Sequence, residues 1–260
     1  MSGVLEAILA QKAVEIAELR AREPRARAEP RGAEVLARLR RAPGEPLRLV
    51  TEIKRRSPSA GALSTALTVA ARARVYAAGG AAMISVLADA KFFDGGWPFV
   101  AETRAAAPDA LVLAKEFVLD ERQIDEAAAC GADAVLLIVR IVSPPRLAAL
   151  VRHARARGLE PLVEIVDEPE LAAALAADAT VIGVNARDLD TLQMDAARAE
   201  RVLAQIPAKC IKLHLSGLKD AAGVAAVARS GVDAALIGEA LMRLDDPAPL
   251  LRAMRGATVS

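Results

Sequence analysis

Eight short apolar runs, separated by alanine-rich helical segments, predict a (β/α)8 TIM barrel, an α/β fold in which eight parallel strands close into a cylinder. The runs are almost continuously apolar, which is typical of strands that are covered on both faces. Several helical segments end in a glycine just before the next run, and glycine commonly ends a helix at that position. These glycines are Gly80, Gly131, Gly158 and Gly231.

The predicted strands consist mainly of Val, Ile, Leu and Ala. In chain order they are residues 47–53, 82–88, 110–115, 132–139, 161–166, 179–185, 210–216 and 232–238. Between them, a helical period is seen in residues 67–80, 121–131 and 218–231. A doubly wound sheet is the structural alternative, but it should carry a glycine-rich loop after its first strand. The segment KRRSPS (54–59) stands there instead, which favours the barrel.

Residues 1–46 do not follow this repeat and are interpreted as an N-terminal helical extension. Helices are predicted over about 3–20 and 33–41, and the catalytic barrel over 47–260, in a single structural domain. The arginine-rich part of the extension is interleaved with glutamates and has no aromatic residue. A solvated segment packed on the barrel is therefore favoured over an arm that binds nucleic acid or a protein partner.

Composition excludes several classes of protein. The 260 residues include 34 Lys and Arg against 33 Asp and Glu, so the net charge of +1 gives no attraction for nucleic acid. No apolar stretch reaches the roughly 18 residues that read as a membrane span, and no signal peptide is predicted. Cys130 and Cys210 are interpreted as reduced thiols, which predicts a cytoplasmic location. The protein is expected to be a monomer.

Metal and cofactor sites are not predicted. The chain has two histidines, His153 and His214, and no spaced cluster of His, Cys or carboxylate ligands. His153 falls in a helix predicted to be exposed. His214 falls in the seventh predicted strand and is interpreted as a packed core residue.

Charged residues stand in three of the predicted strands, at or near their C-terminal ends, where this fold places its active sites. Glu52 and Lys54 lie on one side of the first strand, Lys115 ends the third and Glu164 lies within the fifth. One such charge could belong to a structural ion pair, but four at one rim predict general acid–base chemistry. The apolar neighbour Phe117 is expected to favour loss of the charge of Lys115.

The seventh and eighth strands each end in a glycine before a helix, at Gly217 and Gly238. Backbone N–H groups there can hold a phosphate, and this fold often binds phosphate after these two strands. The simpler alternative is that the glycines only turn the chain. A phosphorylated small-molecule substrate is expected, and Gly238→Val is expected mainly to raise KM by blocking the approach of the phosphate.

Several motifs resemble one family. The segment TEIKRRSPSAG (51–61) resembles the EiKr-SPS-G segment of the indole-3-glycerol phosphate synthases. The segments ISVLAD, LAKEFVLDERQIDEA, GADAVLLIV, LEPLVEI, IGVNARDL and LIGEALM resemble the same family, in the same order and at similar spacings. The likeness covers nearly the whole chain from about residue 47. The set is specific, since related phosphate-binding barrels share only the glycines of the last two strands.

The resemblance implies a carbon–carbon lyase of tryptophan biosynthesis that uses no cofactor or metal. Its substrate would be 1-(2-carboxyphenylamino)-1-deoxyribulose 5-phosphate, which closes its ring and loses CO2 and water to give indole-3-glycerol phosphate. Lys115 would protonate the ketone as the general acid. Lys54 would hold the substrate carboxylate or serve in the dehydration. Glu164 would stabilise the developing positive charge or relay protons, while Glu52 would position Lys54 or restore aromaticity as a base.

The remaining binding groups are also implied by the resemblance. Asn185 and Ser216 would orient the substrate. The sugar-phosphate end would be lined by Ser57, Arg187, Gly217, Gly238 and Glu239. The apolar slot for the aromatic ring would be formed by Pro58, Phe93, Phe117, Leu136 and Leu189, and Leu236 is a further candidate for substrate binding.

Three positions depart from the family pattern. Leu215 stands where a glutamate is usual, Glu116 where an aspartate is usual, and Gly95-Gly96 where Gly-Ser is usual. Leu215 is expected to change the electrostatics around Lys54, because it removes a carboxylate from the rim. Two alternatives stay open. A sugar-phosphate isomerase such as phosphoribosylanthranilate isomerase would need a Cys/Asp pair on strands one and six, and a non-catalytic ligand-binding paralogue has only Leu215 in its favour.

Overall fold

A computed structural model of the chain describes residues 3–23, 29–42, 44–188 and 193–257. Eight parallel strands form a closed barrel in which each strand pairs with its neighbours in the chain and the first pairs with the last. The strands are β1 Arg48–Ile53, β2 Met83–Leu87, β3 Leu111–Lys115, β4 Ala134–Ile138, β5 Glu160–Ile165, β6 Val181–Val184, β7 Ile211–His214 and β8 Ala234–Ile237. The predicted barrel is confirmed, and only β5 begins outside its predicted segment, one residue early.

Two helices precede the first strand, and further helices alternate with the strands and cover the outside of the barrel. They are α1 Val4–Arg20, α2 Gly32–Leu39, α3 Val69–Ala78, α4 Trp97–Ala106, α5 Glu121–Ala129, α6 Pro144–Ala156, α7 Glu168–Ala176, α8 Ala196–Gln205, α9 Ala221–Ala228, α10 Glu239–Met242 and α11 Ala248–Gly256. The four predicted helix-ending glycines all have positive φ, between 78° and 83°. Glycine takes this left-handed conformation without steric cost, which explains its position there.

Alternation along the strands determines which side chains face the barrel interior. Val50 of β1, Leu113 of β3 and Leu162 of β5 belong to the interior cluster, whereas the apolar residues next to them along each strand belong to the cluster that packs against the helices. Glu52, Lys115 and Glu164 each stand two residues beyond these positions. The same alternation therefore directs all three charged side chains inward at the C-terminal end of the barrel.

Helix α2 closes the N-terminal end of the barrel. Its Val35 and Leu39 belong to the interior cluster and are fully or almost fully buried. Gly32 approaches the loop before β5 so closely that a Cβ atom would lie 2.3 Å from the Gly158 carbonyl oxygen, and the Gly32 N–H donates to that oxygen at 3.1 Å. Glycine is therefore required here by close backbone packing.

Helix α1 lies over the opposite, C-terminal end of the barrel. Ile8 packs into the interior cluster, and Lys12 forms ion pairs with Asp89, just after β2, and Glu116, just after β3. The interpretation of the extension as a solvated segment did not anticipate this buried anchor. Within the described residues, no helix has the length and apolar character needed to cross a membrane.

Candidate active site

A cavity of about 650 Å³ opens at the C-terminal end of the barrel. It brings together predicted site residues from all eight strands and the loops that follow them. Those that line it are Glu52, Lys54, Ser57, Pro58, Phe93, Lys115, Phe117, Leu136, Glu164, Asn185, Arg187, Ser216, Gly217, Leu236, Gly238 and Glu239. Leu189, the remaining predicted member, lies outside the described residues.

Glu52 lies between the two lysines. Its Oε1 is 2.6 Å from Lys54 Nζ and its Oε2 is 2.7 Å from Lys115 Nζ, while only 1% of the Glu52 side chain is exposed. Burial alone would raise the pKa of Glu52, but the two ammonium groups outweigh it and lower this pKa to about 2. Glu52 is consequently a permanent carboxylate at neutral pH.

Lys115 keeps its charge for the converse reason. Burial opposes the ammonium form, but the carboxylates of Glu52 and Glu164 prevail and raise the pKa of Lys115 above its ordinary value. The expectation that the apolar neighbour Phe117 would favour loss of this charge is therefore wrong. Two converging carboxylates have a larger effect than one aromatic ring.

Glu164 begins a chain of hydrogen bonds along the next two strand ends. Asn185 Nδ2 donates to Glu164 Oε1 at 2.9 Å, and Ser216 Oγ donates to Asn185 Oδ1 at 2.7 Å. Burial raises the pKa of Glu164 above its usual range, although Lys115 and Asn185 act in the opposite direction. Unlike Glu52, this carboxyl group can exchange a proton nearer to neutral pH.

The phosphate is predicted to bind after β7 and β8, with Arg187 after β6 as a further contact. Gly217 has φ +94°, a conformation that favours glycine. The Arg187 N–H donates to Asn185 Oδ1 at 3.0 Å and to Ser216 Oγ at 3.2 Å. Lys219 and Arg243 also line this cavity, and Arg243 pairs with the Glu239 carboxylate at 2.7 Å. This pairing balances the one acidic side chain among the residues predicted for the phosphate end.

The structure shows that a glycine at position 238 also leaves room for the Glu52 side chain. A Cβ atom at this position would lie 2.3 Å from Glu52 Oε1 and 3.2 Å from Glu52 Cβ. Any side chain here would displace the carboxylate that holds both lysines. The premise that Gly238→Val would leave the lysines in place is therefore wrong, and a loss of kcat is expected beside any effect on KM.

The apolar wall is built partly from predicted residues. The rings of Phe93 and Phe117 lie 5.9 Å apart between centroids. Leu215 is 3% exposed and lies over Gly183, so that it presents methyl groups instead of a carboxylate to the cavity. Because Leu215 is uncharged, the four predicted acid–base residues carry balanced charges: two carboxylates, Glu52 and Glu164, and two ammonium groups, Lys54 and Lys115.

Helix α1 contributes residues that the sequence interpretation missed. Val4, Leu5 and Ile8 line the cavity. The sequence carried one signal for this placement, the helical spacing of Ile8, Lys12, Ile16 and Leu19, which puts them on one face of α1. The structure buries all four.

That lysine forms a buried ion cluster behind the cavity. Lys12 Nζ lies 2.7 Å from Asp89 Oδ2, 3.0 Å from Glu116 Oε1 and 2.7 Å from Glu15 Oε2. Burial raises the pKa of Glu116 to about 7, against the attraction of Lys12. Glu116 directly follows Lys115, so the cluster connects α1 to the strand end that carries this lysine.

Elsewhere, His214 is buried as predicted for a core residue, and both cysteines are buried free thiols. Within the described parts of the chain, no three His, Cys, Asp or Glu residues are grouped so that they could hold a metal ion.

Paired lysines and glutamates in a cavity at the C-terminal end of a (β/α)8 barrel define a barrel enzyme that is equipped for acid–base chemistry. The family model for indole-3-glycerol phosphate synthase matches residues 5–254. The chain belongs to the indole-3-glycerol phosphate synthase family.

Relatives of known name agree with this assignment. The chain is 43% identical to "Indole-3-glycerol phosphate synthase 1" of Streptomyces coelicolor over 91% of its length and 86% of the relative. It is 41% identical to "Indole-3-glycerol phosphate synthase 2" of the same organism over 98% of its length and all of the relative.

Solved structures of lower identity show the same fold. A 3-hexulose-6-phosphate synthase superimposes with a TM-score of 0.65 at 22% identity, over 81% of this chain and 99% of that one. The tryptophan synthase α subunit of Legionella pneumophila gives 0.63 at 17% identity, over 88% and 98%. These likenesses support the barrel fold alone.

Proposed function

We propose that this chain closes the ring of 1-(2-carboxyphenylamino)-1-deoxyribulose 5-phosphate to form indole-3-glycerol phosphate, as a carboxy-lyase of tryptophan biosynthesis. A carbon–carbon bond forms between the ring carbon that bears the carboxylate and the ketone carbon. CO2 then leaves that ring carbon, and the former ketone oxygen leaves as water. The observation that carries the proposal is the contact of Glu52 with both Lys54 and Lys115 at the inner end of the cavity.

Lys115 is proposed as the general acid of the first step. The raised pKa of its ammonium keeps a proton available at neutral pH, and the developing alkoxide is a strong enough base to accept it. Lys54 lies on the other oxygen of Glu52 and supplies a second positive charge. It is suited to hold the substrate carboxylate before CO2 leaves, or to protonate the departing hydroxyl group.

The two glutamates have separate proposed roles. Glu52 is a poor base, because its pKa is about 2, and its role is to position both lysines. Glu164 is the better proton acceptor, because burial raises the pKa of its carboxyl group. It is therefore assigned the proton that the carbon next to the substrate nitrogen loses as water leaves and the indole ring forms, and the stabilisation of the positive charge that develops on that nitrogen.

The rest of the cavity orients the substrate in this proposal. Ser57, Arg187 and the amide of Gly217 take the phosphate, and Asn185 and Ser216 bind the sugar hydroxyl groups. The aromatic ring lies among Pro58, Phe93, Phe117, Leu136 and Leu236. No cofactor or metal takes part in these steps, and a cytoplasmic location is proposed with them.

Neither alternative gains support from the site. An isomerase mechanism with a Cys/Asp pair on β1 and β6 has no matching groups, because Glu52, Lys54 and Asn185 stand there. A non-catalytic paralogue would not need two lysines held by one buried glutamate, which is costly to assemble.

The test is product formation from the purified full chain. The substrate is incubated with the wild-type protein, and indole-3-glycerol phosphate and CO2 are measured. Appearance of both in equal amounts supports the proposal, whereas isomerisation without CO2 release, or no turnover, contradicts it. The Glu52→Gln variant should lose most of the activity because the two lysines lose their shared anion.

A further inference from the structure

Arg140 follows β4 and lies outside the set of described residues that line the cavity. Its Nε donates to Glu170 Oε1 at 3.0 Å and its Nη1 donates to Asp188 Oδ2 at 2.9 Å. The side chain is only 20% exposed. A single guanidinium group thus connects the segments that follow three consecutive strands, β4, β5 and β6.

The contact with Glu170 fixes the end of β5. Glu170, in the first turn of α7, accepts a hydrogen bond on its Oε2 from the Val166 N–H at 2.7 Å. Val166 follows β5 directly and stands two residues after Glu164. The Asn185 N–H also donates to the Ile165 carbonyl oxygen at 2.9 Å, so the same strand end is connected to β6.

The contact with Asp188 fixes the base of the loop after β6. Asp188 directly follows Arg187, and its N–H donates to the Gln193 carbonyl oxygen at 2.9 Å. Arg187 pairs with Met194 in an antiparallel bridge. The carboxylate of Asp188 is therefore held at the point where this loop leaves and rejoins the barrel, next to a residue assigned to the substrate phosphate.

We propose that Arg140 is a positioning residue for the ring-closure reaction, which sets the spacing between Glu164 and Arg187 through Glu170 and Asp188. This inference rests on the proposed function. Only arginine suits the position, because its planar group donates in two fixed directions, whereas a lysine ammonium is a point charge on a flexible stem. Asp167, 3.9 Å away, adds a third carboxylate and favours the charged clamp further.

The two contacts predict separable kinetic effects. The Asp188 contact governs the phosphate end, so Asp188→Ala should mainly raise KM. The Glu170 contact governs Glu164, so Glu170→Ala should mainly lower kcat. Arg140→Ala should show both effects, with a loss of at least ~10-fold in kcat/KM, within the ~100-fold that a displacement of about 1 Å can cost.

The experiment measures kcat and KM for the full chain and for Arg140→Ala, Arg140→Lys, Glu170→Ala, Asp188→Ala and the two double variants that contain Arg140→Ala. Residues that act as one unit give non-additive effects, so each double variant should be little worse than Arg140→Ala alone. Arg140→Lys should recover part of the activity, because one amine can serve one contact at a time.

Arg155→Ala is the matched control. Arg155 also bridges elements, through Asp178 Oδ2 at 3.0 Å and Thr180 Oγ1 at 3.1 Å, but at the opposite end of the barrel. It should lower thermal stability without changing kcat or KM. If Arg140→Ala behaves like Arg155→Ala, with lost stability and unchanged kinetics, the positioning role is overturned.

A binding measurement separates this inference from the proposed function. Inorganic phosphate is titrated calorimetrically into the wild-type chain, Arg140→Ala and Asp188→Ala. Both variants should bind phosphate at least ~10-fold more weakly. A wild-type chain that makes no indole-3-glycerol phosphate, but whose phosphate affinity falls in both variants, contradicts the proposed reaction only. Unchanged phosphate affinity in both variants overturns the role of Arg140, whatever the activity.

Discussion

At the scale of single residues, the site is governed by one buried anion shared between two cations. Glu52 contacts both Lys54 and Lys115, and each contact is short and largely removed from solvent. Removal of one partner from such a group leaves an uncompensated buried charge, which is far more costly than loss of a surface pair. The arrangement explains why Lys115 holds its proton in an interior position and can act as an acid.

Lys115→Ala should lower kcat by at least ~100-fold, the ordinary contribution of one general acid. The fold should be retained, since Lys115 stands at the rim of the barrel, and circular dichroism checks this. Lys209→Ala, at an exposed lysine, is the control and should leave kcat unchanged. A near-normal kcat in Lys115→Ala would exclude this lysine from the proton transfer.

Gly238→Ala should reduce kcat by roughly 100-fold, the cost of displacing a catalytic group by about 1 Å. The added methyl group would meet Glu52 Oε1 at 2.3 Å and move the carboxylate away from the lysines. Gly256→Ala is the matched control, since nothing lies within 4 Å of a Cβ atom there. Steady-state kinetics of both variants decide the matter: a change in KM alone would mean that Gly238 serves the phosphate and not Glu52.

At the scale of elements, α1 is attached to the barrel by charge as well as by apolar packing. Lys12 is fully buried and lies within 3.0 Å of carboxylate oxygens of Glu15, Asp89 and Glu116. The last two of these follow β2 and β3, so one lysine connects the helix to two strand ends. The same helix lines the cavity through Val4, Leu5 and Ile8.

Lys12→Met should lower the free energy of unfolding by about 3–5 kcal/mol, because it leaves buried carboxylates without their cation. Denaturant titration measures the change. Lys91→Met, at an exposed lysine on the same side of the barrel, should stay within ~0.5 kcal/mol of the wild type. Equal effects of the two substitutions would show that the cluster contributes little.

The same cluster predicts a pH dependence of stability. The folded-state pKa of Glu116, about 7, lies above its ordinary value of 4.5, so between these values the folded chain holds a proton that the unfolded chain has lost. Glu116 thus contributes stability that is lost as the pH rises from about 4.5 to 7, at no more than ~1.4 kcal/mol per pH unit. Glu116→Gln cannot titrate there. We expect the free energy of unfolding of the wild type, minus that of Glu116→Gln, to fall as the pH rises across this range. A constant difference would contradict the raised pKa of Glu116.

At the scale of the whole molecule, the barrel was predictable because its signals are local and repeated. Eight apolar runs and four helix-ending glycines each follow from backbone preferences and burial, which act within a few residues. The position of the lysines and glutamates followed from strand alternation. The direction of the pKa of Lys115 did not, because it depends on Glu52 and Glu164, which lie far away in the sequence. The contact of Gly238 with Glu52 and the placement of α1 were not predicted either, because they too depend on residues that are distant in the sequence.

The barrel as a whole predicts where an anion binds. Arg187, Ser57 and Gly217 all line the cavity although they follow three different strands, and they are the groups proposed for its phosphate end. Inorganic phosphate or sulfate should occupy this end and inhibit competitively against the phosphorylated substrate. Arg187→Ala should raise the inhibition constant for phosphate by roughly 10-fold or more, since a hydrogen bond to a charged group contributes about 1.5–3 kcal/mol.

Arg229→Ala removes an exposed arginine after α9 and should leave this constant unchanged. Inhibition kinetics with both variants, at fixed ionic strength so that general screening is constant, measure the effect. Competition follows from geometry: the lysines and the phosphate end share one cavity, so a bound anion and the substrate phosphate exclude each other. Non-competitive inhibition, or equal effects of Arg187→Ala and Arg229→Ala, would place the phosphate elsewhere on the barrel while leaving the acid–base site unaffected.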